Sequence, residues 1–207
     1  LLRVSEDDKN TAYLRSIDFP FVVVGRPDNP EEVLWVNNDN ISAMYNVVEK
    51  LIKKGHRKIG FVGAIENLNM SKDRFIGYKN ALFDKKISYD ESIVVHKDEF
   101  IENEGQSACN ELLQNKDITA IVTTDDLIAF GIMKELKLKN IDNISIVVFN
   151  NTPLSAYQNP PLATVDINAY ELGYSAAKLL INNLEGKEHA KRHYIVDTEF
   201  IERESFI

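Results

Sequence analysis

The stretch from Ile118 to Asn151, ITAIVTTDDLIAFGIMKELKLKNIDNISIVVFNN, limits the fold more than any other part of the chain. Two short apolar runs, Thr119–Val122 and Ile144–Phe149, flank a segment with apolar residues at Leu127, Ile128, Phe130, Ile132, Met133 and Leu136. Runs of strand length on either side of a helical period make a strand–helix–strand unit, the building block of a parallel sheet. Each run ends in polar residues, Thr123-Thr124-Asp125-Asp126 and Asn150-Asn151. Ligands of open parallel sheets sit at the carboxyl ends of the strands. Asp125 and Asn150 are therefore read as two hydrogen-bonding tips facing one cleft. Of the adjacent acids, Asp126 is expected to cap the helix, where the dipole favours a carboxylate, leaving Asp125 for a ligand.

The same alternation continues upstream. Strands are expected over Ile59–Val62 and Ser92–His96, with helices over Asp73–Lys85 and Glu104–Gln114; Phe75, Ile76, Tyr78, Ala81 and Leu82 point inward on the first. From Ile59 to Phe149 the order β, α, β, α, β, α, β predicts a doubly wound α/β layer with right-handed crossovers. Before it lie an extended piece at residues 1–4, a helix-compatible stretch Asp7–Ile17, strands Phe21–Val24 and Val33–Val36, and a helix from Asn40 to Lys54 that Gly55 ends. After it come an extended piece Leu162–Ile167, a helix Ala169–Leu184 and a strand Tyr194–Phe200. The flanking pieces are too small to be a domain alone. They are expected to form part of an N-terminal lobe from residues 1–36 and 166–188, with 37–165 and 189–207 as the C-terminal lobe. The chain starts as if inside a domain, so part of that N-terminal lobe is expected to be missing.

Composition excludes several functions. A formal net charge of −8 does not suit a phosphate-gripping surface, which needs a basic footprint, nor a membrane-surface protein. No apolar run reaches the ~20 residues of a transmembrane helix, and the N-terminus lacks the pattern of a signal peptide. One cysteine, Cys109, rules out an internal disulfide and fits a reducing compartment. With four scattered histidines it makes no metal site. There is no nucleophile elbow, no Walker loop and no dinucleotide fingerprint, so neither catalysis nor a cofactor is expected.

Other candidates divide between binding and structure. Arg74 can donate a fork of hydrogen bonds to a sugar or carboxylate, or be a solvated charge at the start of its helix. Phe100 stands in the polar stretch HKDEFIENEG and either caps a small core or stacks on a ligand. Asn150 can donate and accept, or simply turn the chain. Arg26 follows a strand as a ligand contact or a loop charge. Trp35 is a stacking platform or interlobe core, Asp166 a hinge bond or a ligand contact, and Tyr157 a rim aromatic.

Eight segments in register resemble the effector-binding core of the LacI/GalR family of bacterial transcriptional repressors: PFVVVGRP (20–27), VNNDN (36–40), KKGHRKIGFVG (53–63), DRFIGYKNAL (73–82), ITAIVTTDDLIAFG (118–131), ISIVVFNN (144–151), PPLATVDINAYELGYSAAKLL (160–180) and ERESF (202–206). The resemblance covers nearly the whole chain. Within the family, GRP after the first strand and VDINAYELG look most like maltose-operon repressors. It implies a periplasmic-binding-protein-like fold of two doubly wound lobes, the N-terminal one incomplete here, and a helix-turn-helix lying outside these residues.

The resemblance also implies roles. Arg74 matches the family's effector-contacting arginine in the R-x-x-G-[YFW] pattern, and Phe100 its stacking aromatic. Asp125 stands where the family often has Asn, and Asn150 where it commonly has Asp, so recognition stays polar with altered preference. Ile167 replaces the family's usual glutamine, which removes one polar contact. The implied protein is a cytoplasmic homodimer whose operator affinity changes when a sugar, maltose or a maltodextrin, closes the cleft. Dimer contacts are expected on the apolar face of the Asn40–Lys54 helix and around Phe130–Leu136. The alternatives are a solute-binding protein of a sugar importer, which shares the lobes and cleft, and a doubly wound enzyme.

Overall fold

The computed structural model describes residues 1–2, 4–115, 117–187 and 191–207. Its larger sheet follows from the alternation of apolar runs. Strands β1 (Val22–Val24) and β2 (Leu34–Asn38) come first, then helix α2 (Asn40–Lys54); α1 (Lys9–Ser16) precedes them all. The doubly wound layer is β3 (Ile59–Ala64), α3 (Asn69–Asp84), β4 (Val94–Lys97), α4 (Glu102–Leu112), β5 (Ala120–Thr123), α5 (Asp126–Leu138) and β6 (Ser145–Phe149). A short α6 (Pro153–Ala156), β7 (Ala163–Asp166), α7 (Ala169–Leu184), β8 (His193–Val196) and β9 (Glu199–Ile201) complete the order.

Two sheets result. The larger has the order β4-β3-β5-β6-β7-β9, parallel except for β9, and the smaller the order β1-β2-β8, all parallel. Period-2 alternation sends successive side chains to opposite faces. Ile59, Phe61, Val122, Val147 and Phe149 face α2 and α3, while Val62, Ile121, Ile146 and Val148 face α4 and α5. Each fully buried side chain of this kind contributes about 1.5–3 kcal/mol, so both faces are firmly covered. The chain runs outward from β3 to β4, then returns across to β5. That reversal puts a crevice at the carboxyl ends of β3 and β5, beside the strand ends of the smaller sheet.

Several expectations need correction. Tyr194–Phe200 is not one strand: β8 pairs with β2 in the smaller sheet, and β9 pairs antiparallel with β7 in the larger. Asp197 and Thr198 lie between them and carry the chain from one lobe to the other. Residues 193–196 therefore belong with the smaller sheet, not the C-terminal lobe, and the boundary expected at 188/189 lies outside the described residues. Strand β2 runs on to Asn38, so the lobe boundary drawn at 36/37 falls inside the strand, while the first crossover lies within the expected Asn37–Asp39. Helix α3 starts at Asn69, so Arg74 sits in its second turn and not at its start, and Ile76 is exposed. The apolar face of α2 is taken up by the sheet, with Met44, Val47, Val48 and Leu51 buried in the core; it is not open for a dimer contact.

Among the described residues, the chain passes between the sheets at three points: after Asn38, after Asp166 and after Val196. One side chain joins all three. The Asn38 amide, nearly fully buried, donates to the Ile167 carbonyl at 3.0 Å and to the Val196 carbonyl at 2.9 Å. A buried amide with both N–H groups satisfied fixes the segments it bonds, because leaving any partner bare would cost about 1–3 kcal/mol. No helix among the described residues is long and apolar enough to cross a membrane.

Candidate ligand cleft

A cavity of about 290 Å3 lies between the two sheets. Arg26 after β1 and Asn37 and Asn38 at the end of β2 supply one wall; Arg74 on α3, Asp125 after β5 and Asn150 after β6 supply the other. Phe100, Leu68, Met70, Ile167 and Leu172 add apolar surface. Polar groups thus converge from the carboxyl ends of parallel strands in both lobes, over an apolar lining of the kind that covers a sugar face.

Arg74 is the deepest of these, 1% exposed. Its Nε donates to Asn40 Oδ1 at 2.9 Å and its Nη1 to the Thr124 carbonyl at 2.6 Å. The guanidinium lies over the Phe149 ring, 4.0 Å from its centroid, a cation–π arrangement that steadies the plane. Burial pulls its pKa down to about 9, with Asp125, Asp126 and Asp73 pulling the other way. The group is still a cation at neutral pH, poorly hydrated and held rigid, which is how a guanidinium recognises hydroxyls with fixed geometry.

Asp125 does two things. Its Oδ1 accepts from the Leu127 backbone N–H at 2.8 Å, which makes it the N-cap of α5, and its Oδ2 accepts from Asn150 Nδ2 at 3.1 Å. The cap expected at Asp126 therefore lies one residue earlier. Asp125 has the extended backbone (φ −154°, ψ 148°) that an N-cap requires, and Asp126 is already the first helical residue. Asp126 is buried, accepts from the Thr152 backbone N–H at 3.3 Å, and has a pKa raised to about 6, mainly by desolvation. Asn150 has φ +93°, a region in which Asn is among the tolerated residues, so its backbone and its amide both call for Asn.

The lobes also meet through side chains at and beside the cavity wall. Arg26, from the smaller lobe, donates through Nε (3.0 Å) and Nη2 (2.7 Å) to both oxygens of Asp73 on α3. Asn69 Nδ2 donates to the Arg26 carbonyl (2.8 Å) and to Asp28 Oδ1 (3.0 Å). Glu6 N donates to the Asn67 carbonyl at 3.0 Å, and Lys72 pairs with Glu6. The Asn38 junction and these contacts together tie the two lobes to each other around the cavity.

Five of the seven expected residues, Arg74, Asp125, Asn150, Phe100 and Arg26, line this cavity. Trp35 and Asp166 do not. Trp35 is buried, stacks on His193 at 4.6 Å and donates Nε1 to the Pro30 carbonyl at 3.1 Å, so its ring belongs to the smaller lobe's core. Asp166 accepts from Asn151 Nδ2 at 2.9 Å and from the Asn168 backbone N–H at 2.7 Å, which holds the second crossover. Sequence reasoning passed over Asn37, Asn38, Asn40, Asn69 and Asp73. In sequence the NNDN run reads as a family motif, a crossover and a helix cap, the last a role that Asp39 fills by accepting from the Ser42 N–H, and not as ligand contacts. The signal available was the density of amides at a strand end.

Residues 48–206 match the periplasmic binding protein-like domain family. Along 93% of its length the chain is 31% identical to the HTH-type transcriptional regulator MalR of Staphylococcus xylosus, and along 99% it is 28% identical to CelR of Thermobifida fusca. It spans 57% and 62% of those two proteins. Among solved structures, a protein of Bacillus cereus subsp. cytotoxis assigned as a LacI transcriptional regulator superposes with a TM-score of 0.94 at 38% identity, over 99% of this chain and 74% of that one. A CelR–cellobiose complex superposes with a TM-score of 0.93 at 26% identity, over 99% and 64%. With the domain family matched over most of its length and a LacI regulator matched throughout, the chain belongs to the LacI family of periplasmic-binding-protein-like transcriptional regulators.

Proposed function

We propose that this chain is the effector-sensing core of a LacI-type repressor, in which a sugar held between the two lobes alters the operator affinity of a homodimer. The observation that carries the reading is the convergence of Arg74, Asp125 and Asn150 from one lobe and Arg26 and Asn37 from the other on one cavity. A ligand touching both walls binds the closed arrangement better than an open one, and only such a difference in affinity shifts the balance between arrangements. The relatives' names, a MalR and a CelR crystallised with cellobiose, make maltose, maltodextrins and cellobiose the first sugars to test. Operator DNA would be held through a helix-turn-helix outside these residues, in the cytoplasm where the operator lies, and the bound sugar would leave unchanged. An importer's binding protein would share the cleft, but the regulators among its relatives favour the repressor.

Calorimetric titration with maltose, maltotriose, cellobiose and glucose tests this. Arg74→Ala removes hydrogen bonds from a charged donor, each worth about 1.5–3 kcal/mol, so affinity for the bound sugar should fall about 10–150-fold. Unchanged affinity in this variant would remove Arg74 from the site, and no sugar binding at all would end the reading.

A further inference from the structure

The cleft's charge is decided by a residue that does not line it. Among the described residues its wall carries two cations, Arg26 and Arg74, and one carboxylate, Asp125. On that wall alone the cavity would favour a phosphate or carboxylate. Asp73, 3% exposed and immediately before Arg74 in the chain, alters this. Its two oxygens accept from Arg26 Nε and Nη2 in parallel. That is the bidentate geometry in which a guanidinium would hold a ligand phosphate, so the strongest anion-binding edge of Arg26 is filled from the protein side. Asp28, held by Asn69, adds its negative field to the same guanidinium.

Arg74 is treated similarly. A buried cation with no counter-charge would draw in an anion, but three carboxylates, those of Asp125, Asp126 and Asp73, act on it. Its own donors are partly engaged by Asn40 and Thr124. The remaining polar lining consists of the amides of Asn37, Asn38, Asn40, Asn69 and Asn150, which donate and accept without net charge. Two guanidinium groups therefore meet at least three carboxylates, and a dianionic phosphate placed among them would face repulsion with little compensating attraction. Sugar hydroxyls, donors and acceptors at once, match amides and carboxylates equally well.

We infer that the cleft selects an uncharged sugar over its phosphorylated form, and that Asp73 is the specificity-determining residue because it occupies the Arg26 fork a phosphate would take. This rests on the sugar-sensing reading above. Specificity here comes from filling the competitor's contact in advance, a repulsive element added to the attractive ones.

The test compares matched pairs, glucose with glucose 6-phosphate and maltose with maltose 1-phosphate, by calorimetry on the unaltered chain and on Asp73→Asn. The substitution keeps the size of the side chain and one acceptor for Arg26 but removes the charge. The unaltered chain should bind the uncharged member of a pair at least about 10-fold more tightly. Asp73→Asn should shift that ratio about 10-fold towards the phosphate, with the gain falling as salt is raised. A phosphate that binds the unaltered chain as tightly as its parent sugar overturns the inference while leaving sugar sensing intact; this arm needs no variant to fold. A folded Asp73→Asn, checked by thermal melting, with an unchanged ratio overturns the role of Asp73. If none of glucose, maltose, maltotriose and cellobiose binds, the sensing reading fails and the inference with it; if only one of the latter two binds, its own phosphorylated form replaces the pair and is read by the same two criteria.

Discussion

Asp125 and Asp126 are neighbours in the chain with different tasks. Asp125 caps α5 and faces the cleft, whereas Asp126 is buried beneath it with one oxygen on the Thr152 N–H. Desolvation, helped by the negative charge of Asp125 and opposed by Thr152 and Arg203, raises the Asp126 pKa from 3.8 to about 6. An acid whose pKa is higher in the folded chain holds its proton more tightly there. The stabilisation is whole below about pH 4 and fades as pH rises through about 6. Discounted for solvent screening, it amounts to about 1–2 kcal/mol. Asp126→Asn keeps an acceptor for Thr152 and cannot ionise, so urea midpoints from pH 4 to 8 should show the variant gaining on the unaltered chain as pH rises. Parallel curves would mean that Asp126 titrates normally. The sequence displayed both acids, but the division of labour depended on where the strand ended, and a one-residue difference in that end moves the cap from one to the other.

Helices α4 and α5 pack backbone to backbone through paired glycines. A Cβ at Gly131 would stand 1.9 Å from the Glu102 carbonyl oxygen, and one at Gly105 would stand 2.1 Å from that of Ile128. Alanine at Gly131 would gain about 1 kcal/mol in helix propensity but must push the helices apart, an overpacking that costs about 1–3 kcal/mol or more. Gly131→Ala should therefore destabilise on balance. Gly173→Ala in α7, with nothing within 4 Å of the added carbon, should stabilise by about 0.5–1 kcal/mol. Chemical denaturation of the two variants gives opposite signs if the packing is as described, and equal effects would contradict it. Strands with apolar runs and helices with long apolar periods were legible in advance, because burial on both faces writes itself into composition. The division of Tyr194–Phe200 into β8 and β9 was not legible. The segment YIVDTEF is short enough to read as one strand, and the polar run Asp197–Glu199 is the only mark of the break between a half that pairs with β2 and a half that pairs with β7. Trp35 was unreadable for a similar reason: an aromatic beside a cleft and one turned into its own lobe have the same neighbours in sequence.

At the scale of the whole molecule, several large apolar side chains of the larger lobe remain exposed. Leu127, Leu154 and Tyr157 are 45%, 59% and 84% exposed, and half-buried Phe130 lies on the same face of α5 as Leu127. Groups of this kind mark association surfaces, and a second copy is the expected occupant here. The chain should sediment as a dimer at micromolar concentration, and Tyr157→Asp combined with Leu127→Asp should return it to a monomer. A monomeric unaltered chain would move the self-association surface elsewhere.

The Asn38 junction has a consequence for how the protein is made. The bond from its amide to the Val196 carbonyl joins positions 158 residues apart, and β2 gains its neighbour β8 only from residues 193–196. During vectorial synthesis, β4 and β5 emerge after their partner β3, and β6 after β5, so each finds a parallel neighbour already made, while β2, paired with β1, gains its second neighbour only when β8 emerges. The nascent chain would thus hold the larger sheet's wall of the cavity before the smaller sheet is complete. The cavity between the lobes would be completed only once residues 193–196 have emerged.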